Sequence, residues 1–178
     1  MRLRSLGGFT LVEVLVALFV LAVGIVGASA TQMAAQRTRH HAALMSEGVR
    51  LAAGLADRMR ANPVAMAAAD SINPYLQLRY DAATDTAPAP SVACYGAADC
   101  SPPQMAEFDL YEAAEAVRTS FPNGRIVVCR DAAMWDAAAD TLAWDCAYQA
   151  GAPIVVKLGW RGNQAPAAAA PSVAMVVP

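Results

Sequence analysis

Glu13 stands alone in a long apolar run. From Phe9 to Ala30 it is the only charged residue, and the 23 residues from Val14 to Gln36 carry no charge at all. A carboxylate placed in hydrocarbon costs about 2.5–3.5 kcal/mol on insertion scales, so its chemistry there is ionic: an ammonium beside it offsets that cost. The other residues able to do chemistry are few. Four cysteines, Cys94, Cys100, Cys129 and Cys146, can form disulfides. His40 and His41 are adjacent, and on a helix adjacent side chains diverge by about 100°, so they make no ready chelate. Without a CxxC pair, a zinc site lacks its usual ligand spacing, and no metal or cofactor is expected. Glu107, Asp109, Glu112 and Glu115 are spread around a segment of helical pattern and read as a solvated face, not a paired catalytic site. HExxH, GxSxG, Walker A and GxGxxG patterns are all missing, so the sequence does not read as an enzyme.

These residues need elements to hold them. The chain has 178 residues, 57% hydrophobic and 16% charged, with a net charge of −2 and a pI near 5.6. That is one modest domain plus an extension, neither disordered nor a basic nucleic-acid binder. A bilayer core needs about 20 helical residues, and the Val14–Gln36 run supplies them. Arg2 and Arg4 before it keep the N-terminus cytoplasmic under the positive-inside rule, which places the rest outside. Neither a cleaved secretory signal ending at Ala28-Ser29-Ala30 nor an ordinary anchor accounts for Glu13.

A third reading requires it. Gly7-Gly8-Phe9-Thr10-Leu11-Val12-Glu13 resembles the class III signal of type IV pilins and pseudopilins: a short basic leader ending in Gly, an aromatic, then Glu within an apolar helix. The resemblance implies cleavage between Gly8 and Phe9 by a prepilin peptidase and N-methylation of the new Phe9 amine. It also implies that Glu13 pairs with an N-terminal amine as subunits pack into a filament. The processed chain would begin at Phe9.

Beyond the span, Leu44, Gly48, Leu51, Leu55 and Met59 recur every three or four residues. The helix should therefore run to Asn62-Pro63, where the residue before proline avoids the helical region. Phe9 to Ala61 would extend roughly 80 Å, with residues 35–60 covered mostly by the subunit's own head. Residues 62–103 read as irregular. A short helix is expected over 104–119, with Ala106, Leu110, Ala114 and Val117 on one face, then a turn at Phe121-Pro122-Asn123-Gly124. Strands are expected at Arg125–Asp131, Thr141–Gln149 and Pro153–Arg161, with a short edge strand at Ser172–Val177. In the third, Ile154, Val156, Leu158 and Trp160 share the buried face and Lys157 and Arg161 the other. Pro166 to Pro171 reads as a loose connection. Trp135, Trp144 and Trp160 read as packing or partner surface.

Four cysteines in an exported head point to disulfides. Three connectivities exist. Sequence-local pairing, Cys94 with Cys100 and Cys129 with Cys146, is the simplest. A hairpin of the first two strands, centred near Ala137–Ala138, would set Cys129 opposite Cys146.

The segment Leu51–Pro63, ending in Asp57-Arg58-Met59-Arg60-Ala61-Asn62-Pro63, resembles the end of the long helix in the PilV family of minor pilins. Asp109-Leu110, Phe121–Gly124 and Lys157-Leu158-Gly159-Trp160 are also similar to that family. The resemblance implies an α+β, type IV pilin-like fold: a long N-terminal helix packed on a small antiparallel β-sheet head. It divides the chain into a prepilin leader (1–8), a transmembrane and filament-core half-helix (9–36), an amphipathic half-helix (37–61) and a globular head (62–178). It implies a minor pilin that primes pilus assembly from a tip complex and supports adhesion and twitching. Its partners would be other minor pilins, the major pilin, the prepilin peptidase, the inner-membrane assembly platform and a large tip adhesin, with no nucleic acid. Its place would be the inner membrane, then the filament tip. The alternative is a minor pseudopilin of a type II secretion system.

Overall fold

The computed structural model describes residues 8, 10–96, 98–161 and 170–178. Residues 1–7, Phe9 and most of the Pro166–Pro171 stretch lie outside them.

The first compact unit, through Ala43, contains the start of α1, the helix Leu11–Ala61. Every described side chain of α1 from Leu11 to Ala43 is exposed. The few hydroxyls in this apolar stretch are satisfied by the helix itself. Ser29 Oγ donates to the Ile25 carbonyl at 2.9 Å and Thr31 Oγ1 to the Ala28 carbonyl at 2.8 Å, the back-bonding that lets such residues sit in an apolar helix.

The second unit begins at Leu44. Burial of α1 starts there and not at residue 35: against expectation, residues 35–43 are exposed among the described residues. From Leu44 the stripe sinks into the core, with Ala52, Leu55, Ala56 and Met59 nearly inaccessible. Gly48 permits the approach: a Cβ there would stand 2.9 Å from the Trp160 ring. As expected, α1 ends just before Asn62-Pro63. Asn62 then caps the four-residue helix α2 (Pro63–Met66), its Oδ1 accepting the Ala65 N–H at 3.3 Å.

The segment expected to be irregular also contains a 3₁₀ turn (Pro74–Gln77) and strand β1 (Arg79–Asp81). Helix α3 spans Pro102–Ser120. Two prolines open it, where no intrahelical N–H is needed, and Gln104 Oε1 accepts the Ser101 N–H at 2.9 Å. Asn123 takes φ 48° in the turn that follows.

Strands β2 (Arg125–Arg130), β5 (Ile154–Gly159) and β6 (Val173–Val177) join β1 in an antiparallel sheet of order β1-β2-β5-β6. Register pairs Ile126 with Leu158 and Val128 with Val156. These residues, with Tyr80, Val173 and Val177, face α1 and α3 in one core. The fold is thus the α+β arrangement of a long N-terminal helix with a small antiparallel sheet.

The expected second strand differs. Residues 141–149 do not pair with β2, whose neighbours are β1 and β5. Only Thr141–Leu142 (β4) is extended, paired with Trp135–Asp136 (β3) in a separate ribbon. The hairpin tip lies where expected, but the ribbon is folded over the second face of the sheet. There the Trp144 ring stacks under the Arg125 guanidinium at 4.4 Å, and a Cβ on Gly159 would lie 2.9 Å from it. The cover also corrects the placing of Lys157. Expected on a solvated face, it is wholly buried under the ribbon.

Candidate functional site

Thr10 and Glu13 open α1. The Thr10 carbonyl accepts the Glu13 N–H at 3.1 Å, and Thr10 Oγ1 lies 3.3 Å from the same nitrogen. Thr10 is therefore an N-cap and Glu13 an acid in the first turn, where the helix dipole favours negative charge. Sequence reasoning missed the cap, although Thr-x-x-Glu ahead of an apolar run is its signature. Glu13 is exposed, and the neighbouring Leu11, Val12, Val14 and Leu15 are exposed with it. An 18-residue window of α1 reaches a mean hydropathy of 2.7 with none of it buried within the chain. By length and composition this segment can cross a membrane. Gly8 is described and has open space around its Cα; Phe9, its partner at the expected cleavage point, lies outside the described residues.

At the other end of α1 the Arg58–Pro63 segment is a clamp. Met59 is fully buried. Arg58 pairs with Glu112 and lies 3.6 Å from Asp109 Oδ1. Asn62 Nδ2 donates to the Pro102 carbonyl at 2.7 Å and to the Tyr75 hydroxyl at 3.3 Å, and that hydroxyl donates to Asp109 Oδ2 at 2.8 Å. Asp109, read from sequence as solvated, is 6% exposed. Desolvation raises its pKa against the opposing pull of Tyr75 and Arg58. Desolvation and the Asp109 bond likewise push the Tyr75 hydroxyl well above the tyrosine range. Both groups are bound into the hydrogen-bonded junction of α1, α3 and the 3₁₀ turn. The sequence signal was Asp109 falling beside Ala106, Ala113 and Val117 on the inner face of α3.

The cysteines are bonded as Cys94–Cys100 and Cys129–Cys146, with Cα atoms 6.0 and 6.4 Å apart. The second bond pins the ribbon to β2. Beneath it, Lys157 Nζ reaches Asp131 Oδ2 at 2.6 Å and the carbonyls of Ala143 and Asp145, each at 2.7 Å. Three acceptors match the three protons of an ammonium. Asp131 Oδ1 accepts the N–H groups of Ala133 (2.9 Å) and Ala147 (3.0 Å). Burial alone would raise the Asp131 pKa, but Lys157 and the two backbone donors outweigh it and hold it below the aspartate range. This constellation also escaped sequence reasoning. A single Lys among Val155, Val156 and Leu158 was its signal.

The segments bearing these features match two family models. The prokaryotic N-terminal methylation motif covers residues 4–29, and the Tt1218-like model, described as type IV pilin Tt1218, covers residues 30–111. Together these two matches support a type IV pilin. The methylation motif spans Gly8, Thr10 and Glu13; the pilin match takes in the rest of α1, its Arg58–Pro63 clamp, β1 and the first half of α3. Strands β2 to β6 lie beyond both matches. No curated protein and no solved structure matches the chain. The motif and the apolar, uncovered helix together fit a membrane-anchored pilin, a structural protein whose partners are those of a pilus.

Proposed function

We propose that this pilin is a minor pilin that primes filament assembly from a tip complex. In this reading prepilin peptidase cuts between Gly8 and Phe9 and the Phe9 amine is methylated. Before assembly the chain sits in the inner membrane, N-terminus cytoplasmic and head periplasmic. The mechanism is associative. Glu13 accepts an N-terminal amine as helices pack, and the head selects other minor pilins, the major pilin and a tip adhesin.

Glu13 carries the reading: the lone charge of the exposed apolar run that opens α1, inside the residues matched by the methylation motif. In hydrocarbon its charge is stable only beside a cation, and a neighbouring amine supplies one. The PilV-like character rests on the Asp57–Pro63 segment, where Arg58, Met59 and Asn62 fasten the head elements to α1. In a strain that depends on this protein, Glu13→Ala should leave leader cleavage intact and reduce surface piliation several-fold. Normal piliation with the variant as sole copy would refute the role given to Glu13.

A further inference from the structure

Directly after the uncharged span, α1 carries Arg37, Arg39, His40 and His41, all exposed. At about 100° per residue, Arg37, His40 and His41 share one third of the circumference and Arg39 lies nearly opposite. Four residues of rise separate first from last, roughly 6 Å. The cationic and imidazole groups thus stand on opposite sides of the helix within about one turn of its length. A one-sided partner, such as a groove on another protein, would be met by a stripe along the axis. A collar at one level matches a planar layer of negative charge.

Its surroundings leave it available. Thr38, inside the collar, turns its hydroxyl back to the Ala34 carbonyl at 3.2 Å. The next acid along the chain, Glu47, is engaged by Arg50 at 2.6 Å. On the other side, Val14 to Gln36 would span about 34 Å as a helix, close to the thickness of a bilayer core. When that run fills the hydrocarbon, Arg37 is the first charge to emerge, at the level of the headgroups.

We propose that Arg37 and Arg39, with His40 and His41 as further hydrogen-bond donors, form a binding collar for anionic phospholipid headgroups on the non-cytoplasmic face of the membrane. The inference rests on the membrane-spanning reading above. It adds a consequence. Once the leader's Arg2 and Arg4 are removed, the cationic side chains nearest the span are those of the collar, so the waiting subunit is held at its outer end by side-chain contacts with the headgroups.

The test uses the processed protein, residues 9–178, reconstituted in vesicles of phosphatidylcholine with a third phosphatidylglycerol, so that Arg2 and Arg4 do not contribute. Spin-labelled analogues of each lipid report which is retained at the protein boundary. At low ionic strength the wild type should prefer the glycerol lipid by on the order of fivefold. In Arg37→Gln/Arg39→Gln, or in about 0.5 M salt, the preference should approach unity. Both side chains are exposed, and among the described residues neither has a hydrogen bond or ion pair, so the head's circular dichroism should be unchanged in the variant. Equal association of the two lipids with wild type, or a preference that survives the double substitution, overturns the collar while leaving the span intact. Absence of any motionally restricted lipid would instead overturn the spanning reading, and the collar with it.

Discussion

A buried ammonium is tolerated only when each of its protons has an acceptor and its charge a counter-charge. Lys157 meets both conditions through Asp131 and two carbonyls of the ribbon. Removing one member leaves the other buried and uncompensated, so Asp131→Asn should destabilise the head by about 3–5 kcal/mol near neutral pH. The pH dependence has a definite sign. Because the folded state holds Asp131 below its ordinary value of 3.8, its contribution is present above that value and is lost as pH falls through the lower folded one. Asp109 acts in the opposite sense. Its pKa is raised on folding, so the cost of ionising it is absent below the ordinary aspartate value and is felt as pH rises through the folded one. Urea denaturation from pH 6 to 2 should therefore show a steep acid limb in wild type and a flatter one in Asp131→Asn. An unchanged acid limb would mean that the pair does not govern the head's acid sensitivity.

At the scale of elements, α1 is one helix with two solvents. Its described side chains are exposed through Ala43, and from Leu44 its apolar stripe lies in the core with the sheet. Two glycines in the second part separate packing from propensity. Gly48 has the Trp160 ring where a Cβ would go, whereas Gly54 has nothing within 4 Å. Gly48→Leu should cost about 1–3 kcal/mol by overpacking, while Gly54→Ala should gain about 0.5–1 kcal/mol from helix propensity. Chemical denaturation of the two variants checks this, and equal effects would contradict the close approach of α1 to Trp160. Much of this element order was legible. Asn62-Pro63 marked the end of α1, the spacing of Ala106, Ala114 and Val117 marked α3, and alternation marked β2 and β5. Residues 141–149 misled because their alternation is real while their partner is not the sheet. Cys146 and the capture of the Ala147 N–H by Asp131 draw them across its face instead. With that cover in place, a strand reading half-solvated becomes buried on both sides, which is why Lys157 was misplaced. Strand β1, three residues long, carries too little alternation to be seen. The networks around Asp109 and Lys157 depend on residues far apart in sequence, which local spacing cannot join.

The whole molecule combines a pilin's N-terminal segment and helix with a head whose inner face packs on that helix and whose outer face is closed by a disulfide-bound ribbon. Its chemistry is concentrated at the start of α1, where one carboxylate waits in an apolar surface. The role of Glu13 therefore depends on where the processed chain begins. Intact mass and terminal peptide sequencing of the protein from its own cells measure this directly. The processed chain should start at Phe9 with a methylated amine. A start at Thr31, as a secretory signal cut after Ala28-Ser29-Ala30 would give, removes Glu13 from the protein and contradicts it.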